Sequence, residues 1–354
     1  MLRVLTVAYA FAHVGRDAVG GAEQIAAAVD EALVEAGHES IVVAAAGSAV
    51  RGRLVPVAVP TAAITPDVRA VVRQRQQASI DSVLRNHAVD LVHLHALDFA
   101  DLLPPPGIPV LVTLHLPLAW YAPQALRPAR PATFLHGVSR TQQRTCPSDV
   151  TLLPPIPNGV PVERLTPRED HGQHVLMLTR ICPEKGIHLG LDAARAAGLP
   201  LHIGGHVFRY AEHERYFTEA VQPRLDADRR FLGPLDFAAK RVALASARCL
   251  LVCSTVAETS SLVAMEALAC GTPVVALRAG ALPEIIEHGR TGYIVNDVGE
   301  LPDALHAVAA LDRAECRRVA IKRFSAERMT RAYLRRYRAL IRDHAATHAT
   351  AGAG

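Results

Sequence analysis

Two cations and two carboxylates stand at spacings suited to anion and polyol chemistry. The segment Leu178-Thr179-Arg180-Ile181-Cys182-Pro183-Glu184-Lys185-Gly186 follows an apolar run, so it reads as the loop beyond a strand. Arg180 and Lys185 there can face a diphosphate, whose charge needs cations as it departs. Only three lysines occur, at 185, 240 and 322, so a lysine in this loop is informative beyond surface solubility. The segment Ser254-Thr255-Val256-Ala257-Glu258-Thr259-Ser260-Ser261 ends a second apolar run and leads into a helical stretch over 261–270. Its start offers backbone N–H groups to an anion. Glu266 lies inside that apolar stretch, where a carboxylate is costly unless it accepts from a donor, and vicinal ribose hydroxyls are suitable donors.

A third candidate is Gly20-Gly21-Ala22-Glu23, at the opening of the first helix, where paired glycines let an anion approach the helix N-terminus. A packing turn explains these glycines equally well, and the chain holds neither a GxGxxG nor a GxxxxGK[ST] loop. Three histidines follow strand-like runs. His93 and His95 point to one side of a strand, as cleft residues or as core residues, and His115 ends the next run and reads as functional. No carboxylate or thiol accompanies the trio, so no metal site is expected there. Asp226-Ala227-Asp228 precedes a strand rather than ending one, so it is not expected to hold a metal. Cys249 and Cys253 read as core.

The elements that must position these residues alternate. Strand-like runs at 4–10, 40–46, 91–95 and 110–115 are nearly continuously apolar, as strands buried on both faces are, with helical spacing at 22–36 and 67–87. Pro154, Pro155, Pro157, Asn158-Gly159, Pro161 and Pro167 mark a hinge over 154–173. A second series of strands follows at 175–179, 201–204, 231–232, 249–254, 273–276 and 293–295, with helices at 186–197, 237–247, 261–270 and 301–311. Alternation of this kind predicts parallel sheets covered by helices, and 354 residues suffice for two such domains. A long helical stretch over 325–342 is more than the second sheet needs.

Half of the chain is apolar, 20% is charged, and mean hydropathy is +0.17, which excludes a disordered or fibrous protein. No apolar run is long enough to span a membrane, and the N-terminal run reads as a first strand rather than a signal segment. Six cysteines without a CxxC pair fit a reducing compartment, hence a cytoplasmic location. The net charge of +4 is concentrated in 313–342, whose basic residues far outnumber Glu315 and Glu327. This is either a solvated face or a peripheral membrane contact. Nucleic-acid binding is not expected, because aromatics do not interleave these charges.

The ordered set of motifs resembles family 4 of the retaining glycosyltransferases, in the glycogen-phosphorylase-like superfamily. It comprises R-x-x-P-E-K-G at 180–186, Glu258 and Glu266 separated by seven residues, and Gly271-Thr272-Pro273-Val274-Val275-Ala276. Gly20-Gly21-Ala22-Glu23, Val92-His93-Leu94-His95, Thr113-Leu114-His115, Pro157-Asn158-Gly159-Val160 and Gly289-Arg290-Thr291-Gly292 complete it. The resemblance implies an α/β protein of GT-B fold: two Rossmann-like domains facing a central cleft, with a C-terminal helix crossing back to the first. The expected divisions are 1–166 plus helix 325–342 for the acceptor domain, 167–324 for the nucleotide-sugar donor domain, and a flexible tail over 343–354.

Carried over residue by residue, the resemblance implies that Arg180, Lys185, Gly20 and Gly21 bind the donor diphosphate and that Glu266 binds the ribose. Glu258 and the amides of Ser260, Ser261, Leu262 and Val263 would hold the donor sugar, and His115 and Glu258 would be catalytic. His93, His95 and Trp120 are expected near the acceptor or cleft. Thr259-Ser260-Ser261 replaces the family's usual Gly-Phe-Gly type of loop, a departure that bears on the donor sugar more than on the reaction. The implied activity is metal-independent, cofactor-free, retaining transfer to a hydroxyl acceptor. A sugar-nucleotide epimerase, a phosphorylase and a catalytically silent sugar-nucleotide or lipid-binding protein stay open as alternatives.

Overall fold

A computed structural model describes residues 1–60 and 64–351, with side chains through 347. The chain forms two units, Met1–Pro157 with Met329–Gly354, and Asn158–Arg328. The division falls before the hinge prolines at 161 and 167 rather than at 166. The cause is local: Val160 N–H donates to Phe324 O and Ala326 N–H to Val160 O, while Val162 and Leu165 are buried in the second unit's core.

The first unit contains β1 (Arg3–Val7), α1 (Gly21–Glu35), β2 (Glu39–Ala45), β3 (Arg53–Val57), α2 (Pro66–Asn86), β4 (Leu91–Leu94), β5 (Val110–Leu114), β6 (Thr133–Gly137) and α3 (Arg140–Arg144). Its six parallel strands are ordered β3-β2-β1-β4-β5-β6. The central strands β1, β2, β4 and β5 are buried along almost their whole length, which is why their sequences are continuously apolar. The edge strands β3 and β6 escape sequence reasoning for the converse reason. β3 is half exposed and contains Pro56, a residue that an edge position tolerates, and β6 begins half-buried shortly after the exposed Pro131.

The second unit contains β7 (Val175–Leu178), α4 (Ile187–Ala196), β8 (Leu201–Gly204), α5 (Ala211–Tyr216), β9 (Arg229–Gly233), α6 (Phe237–Ser246), β10 (Cys249–Val252), α7 (Leu262–Ala269), β11 (Val274–Leu277), α8 (Leu282–Ile285), β12 (Gly292–Val295), α9 (Leu301–Ala307) and α10 (Arg313–Phe324). Its order, β12-β11-β10-β7-β8-β9, repeats that of the first sheet. In each sheet the strand order reverses once, between β1 and β4 and between β7 and β10. A ligand of an open parallel sheet binds beyond the strand ends at such a point.

The last helix, α11 (Ala326–Ala351), belongs to the first unit from Met329 onward. It continues through 343–351, where a flexible tail is expected, and 352–354 lie outside the described residues. Its Tyr333 and Tyr337 are completely buried in the first unit, which anchors the helix there. Among the described residues no helix is long and apolar enough to cross a membrane. Cys249 and Cys253 are core residues, and all six cysteines are unpaired thiols.

Candidate functional site

In the second unit the loops after β7 and β10 are joined, as the adjacency of those strands requires. Thr255 N–H donates to Glu184 O at 2.9 Å. Gly186 has φ +58°, and a Cβ there would run into Cys253 O, so only glycine lets the two loops close. Across this junction Lys185 Nζ meets Glu258 Oε1 at 2.5 Å, both side chains being largely buried, and the Ser254 hydroxyl donates to the same carboxylate oxygen. Glu258's backbone is clamped from behind by the turn at Gly280, whose φ is +52° and whose neighbour Ala281 donates to Glu258 O at 2.7 Å. Arg180 is exposed beside this junction in sequence.

Glu266 is buried one turn inside α7, where its carboxylate accepts from Lys240 Nζ at 2.6 Å. Two of the three lysines in the chain thus pair with the two motif glutamates. Lysine scarcity was the signal that could have assigned Lys240 beforehand. The N-cap of α7, Ser261, makes no side-chain cap, so the amides of Ser260, Ser261, Leu262 and Val263 stand at an uncapped helix start. A cavity of about 420 Å³ at the ends of β10, β11 and β12 includes Ser254, Thr255, Arg278, Gly280, Asn296 and Asp297 in its lining. Asp226 and Asp228 lie elsewhere, before β9: Asp226 accepts from Asp228 and Arg229 backbone N–H groups and pairs with Arg229 at 2.6 Å, a role within its own turn.

The first unit places Gly20 at the N-cap of α1 and Gly21 at its first position. The Glu23 carboxylate is buried and lies over Gly20, so this helix start already has an internal anion beside it. Trp120 is exposed in a short 3-10 turn, Leu118–Trp120, after His115. His115 is held from both sides: Gln142 Nε2 donates to Leu114 O and Leu116 O, each at 2.8 Å, and Tyr121 accepts from Leu116 N–H.

His93 does not sit at a surface. It is fully buried, and its ring belongs to a chain that sequence reasoning did not foresee because its partners Thr113 and Tyr337 lie 20 and 244 positions away. The protonation of His136, Thr113 and His93 follows from one carbonyl. Gly137 O can only accept, so His136 carries its proton on Nδ1 (2.9 Å) and accepts at Nε2 from the Thr113 hydroxyl (2.7 Å). Thr113 Oγ1 then accepts from His93 Nε2–H at 2.8 Å and from the Tyr333 hydroxyl at 3.3 Å. His93 Nδ1 accepts from the Tyr337 hydroxyl (2.7 Å), and His95 Nε2 lies 3.1 Å from the same nitrogen. His95 Nδ1 and His115 Nε2 are joined by one hydrogen bond of 2.9 Å. Burial holds His93 and His95 well below the usual histidine range, and takes His115 to about 4 and His136 to about 3, so all four rings are neutral near pH 7.

Two sheets of this order in tandem constitute the GT-B fold. The solved structure of AviGT4, a glycosyltransferase involved in avilamycin A biosynthesis, has it with a TM-score of 0.72 and 24% identity, covering 96% of this chain and 98% of that one. Anabaena HepE, solved with UDP and glucose, has it with a TM-score of 0.71 and 18% identity, covering 95% and 99%. Family models described as Glycosyltransferase Family 4 and as Glycosyl transferases group 1 match residues 19–152 and 172–310. The chain belongs to the family 4 glycosyltransferases. Phosphatidyl-myo-inositol mannosyltransferase of Mycobacterium tuberculosis is 35% identical over 152 residues, a match spanning 40% of this chain and 39% of that protein.

Proposed function

We propose that the protein is a glycosyltransferase that moves a sugar from a nucleoside diphosphate donor to a hydroxyl acceptor, with retention of anomeric configuration and without a metal in the transfer step. The observation that carries this is the pairing in the second unit, where both motif carboxylates are held by lysines at the strand-order reversal. Arg180 and Lys185 meet the diphosphate, which competes with Glu258 for Lys185 as it binds. Glu266 accepts from the ribose hydroxyls, and Glu258, with the amides of Ser260 to Val263, orients the donor sugar. In the first unit Gly20 and Gly21 are assigned to phosphate, His115 to the transfer, and His95 and Trp120 to the acceptor. His93 acts through His95 as a positioning residue.

Same-face transfer needs no enzymic nucleophile. The C–O bond to the diphosphate breaks toward an oxocarbenium-like state, the departing phosphate oxygen takes the acceptor's proton, and the acceptor oxygen bonds to the anomeric carbon. Cations that stabilise the departing charge are worth about 10²- to 10³-fold in rate.

A uridine diphosphate sugar is the first donor to test, by likeness to the HepE complex, and phosphatidyl-myo-inositol the first acceptor, by likeness to the mannosyltransferase. The membrane contact expected of 313–342 narrows to one face of α11. Arg313 donates to Ala245 O and Ala247 O and Arg317 donates to Val162 O, internal duties, whereas Arg328, Arg331, Arg335, Arg338 and Arg342 are exposed at alternating spacings of three and four. That stripe suits an anionic lipid surface, with the protein otherwise cytoplasmic. The test is acceptor-dependent donor consumption that is lost in Glu258→Gln, with the product's anomeric configuration read by NMR. An inverted product contradicts retention, and donor turnover without any acceptor favours an epimerase.

A further inference from the structure

One cluster of potential ligands lies outside these assignments. Cys182 Sγ, a carboxylate oxygen of Glu184 and a ring nitrogen of His213 lie within 4.8 Å of one another. Cys182 and Glu184 flank Pro183 in the loop after β7, and His213 comes from α5. Two of these groups are incomplete as they stand: Glu184 Oε2 and His213 Nδ1 are buried with no hydrogen-bond partner. His213 is only 9% exposed and is packed against the Phe208 and Tyr210 rings, so solvent does not serve it. Buried polar atoms in folded proteins have partners as a rule, and an exception in a thiol, carboxylate and imidazole set has the makings of a cation site.

We propose that Cys182, Glu184 and His213 bind a zinc-class divalent cation that ties the loop carrying Arg180 and Lys185 to α5. A sulfur, a nitrogen and an oxygen donor together select a borderline-soft ion over calcium or magnesium. Metal–ligand bonds of about 2.0 to 2.3 Å bring tetrahedral ligands to about 3.5 Å from one another, which small side-chain rotations achieve from the present spacing. Arg180 and Lys185 in the same loop oppose a cation, but a thiolate and a carboxylate offset the ion's charge and leave the site neutral. The ion supplies the partner that Glu184 Oε2 and His213 Nδ1 lack. It is a structural cation and takes no part in neutralising the leaving group.

The inference is independent of the transfer reaction, because metal content is read without substrate. The reduced full chain is loaded with zinc, desalted against a weak chelator and analysed for metal. A single zinc per chain is expected, lost in Cys182→Ser and His213→Gln and retained in Cys316→Ser, a buried cysteine away from the cluster. Loading with cobalt(II) gives the second reading: a thiolate-to-cobalt charge-transfer band that Cys182→Ser abolishes and that Glu184→Gln, at a less buried position, weakens while the fold persists. Substoichiometric zinc in the wild type, or a cobalt band unchanged in Cys182→Ser, overturns the proposal.

Discussion

The two units have the same strand order, but each contains a buried polar cluster and the two clusters are built in opposite ways. The first unit's cluster uses neutral groups: four imidazoles, a threonine and two tyrosines linked in one chain, with the protons of His136, Thr113 and His93 assigned by a single backbone carbonyl. The second uses charges, pairing Lys185 with Glu258 and Lys240 with Glu266 at distances of 2.5 and 2.6 Å. A neutral chain orients a group without attracting an anion. Lysine–carboxylate pairs can exchange partners with a phosphate or a diol. Under the proposed function, this difference matches positioning by the first unit and donor binding by the second.

Acidification is the strongest way to break the comparison. A histidine whose folded value is depressed contributes stability that is present above its unfolded value, about 6.5, and is lost as pH falls toward the folded one. At pH 5 each of the fully buried rings His93, His95 and His136 then costs up to about 2 kcal/mol. Hydrogen exchange is expected to show the first unit opening before the second between pH 6.5 and 4.

Lys240→Ala is the next largest effect, confined to the second unit. It leaves Glu266 buried without its partner and should cost about 3–5 kcal/mol in urea unfolding. Arg180→Ala, at an exposed position, should instead spare stability and lower turnover about 10²- to 10³-fold, measured as acceptor-dependent product formation. Tyr337→Phe is the smallest change. It removes the hydroxyl donor to His93 Nδ1 and costs about 1 kcal/mol, which urea unfolding reports.

The same contrast explains what the sequence made legible. Buried central strands such as β1 and β5 announce themselves by unbroken apolar runs, and Lys185, Glu258 and Glu266 by their place just beyond or after such runs. Edge strands β3 and β6 have no such run. The histidine chain was half visible, since His93, His95 and His115 stand at strand ends, but Tyr333 and Tyr337 come from a helix more than 200 residues away and only folding shows what they touch. The basic excess of 313–342 was readable as charge, whereas its division between internal arginines and one exposed stripe depends on which helix face is covered.

The central claim is that the lysine–carboxylate pairs of the second unit form the donor site, and isothermal titration with uridine diphosphate tests it most directly. The wild type is expected to bind, with Lys185→Ala and Glu266→Gln each weakening affinity at least about tenfold, or about 1.4 kcal/mol. Unchanged affinity in both variants would contradict the account.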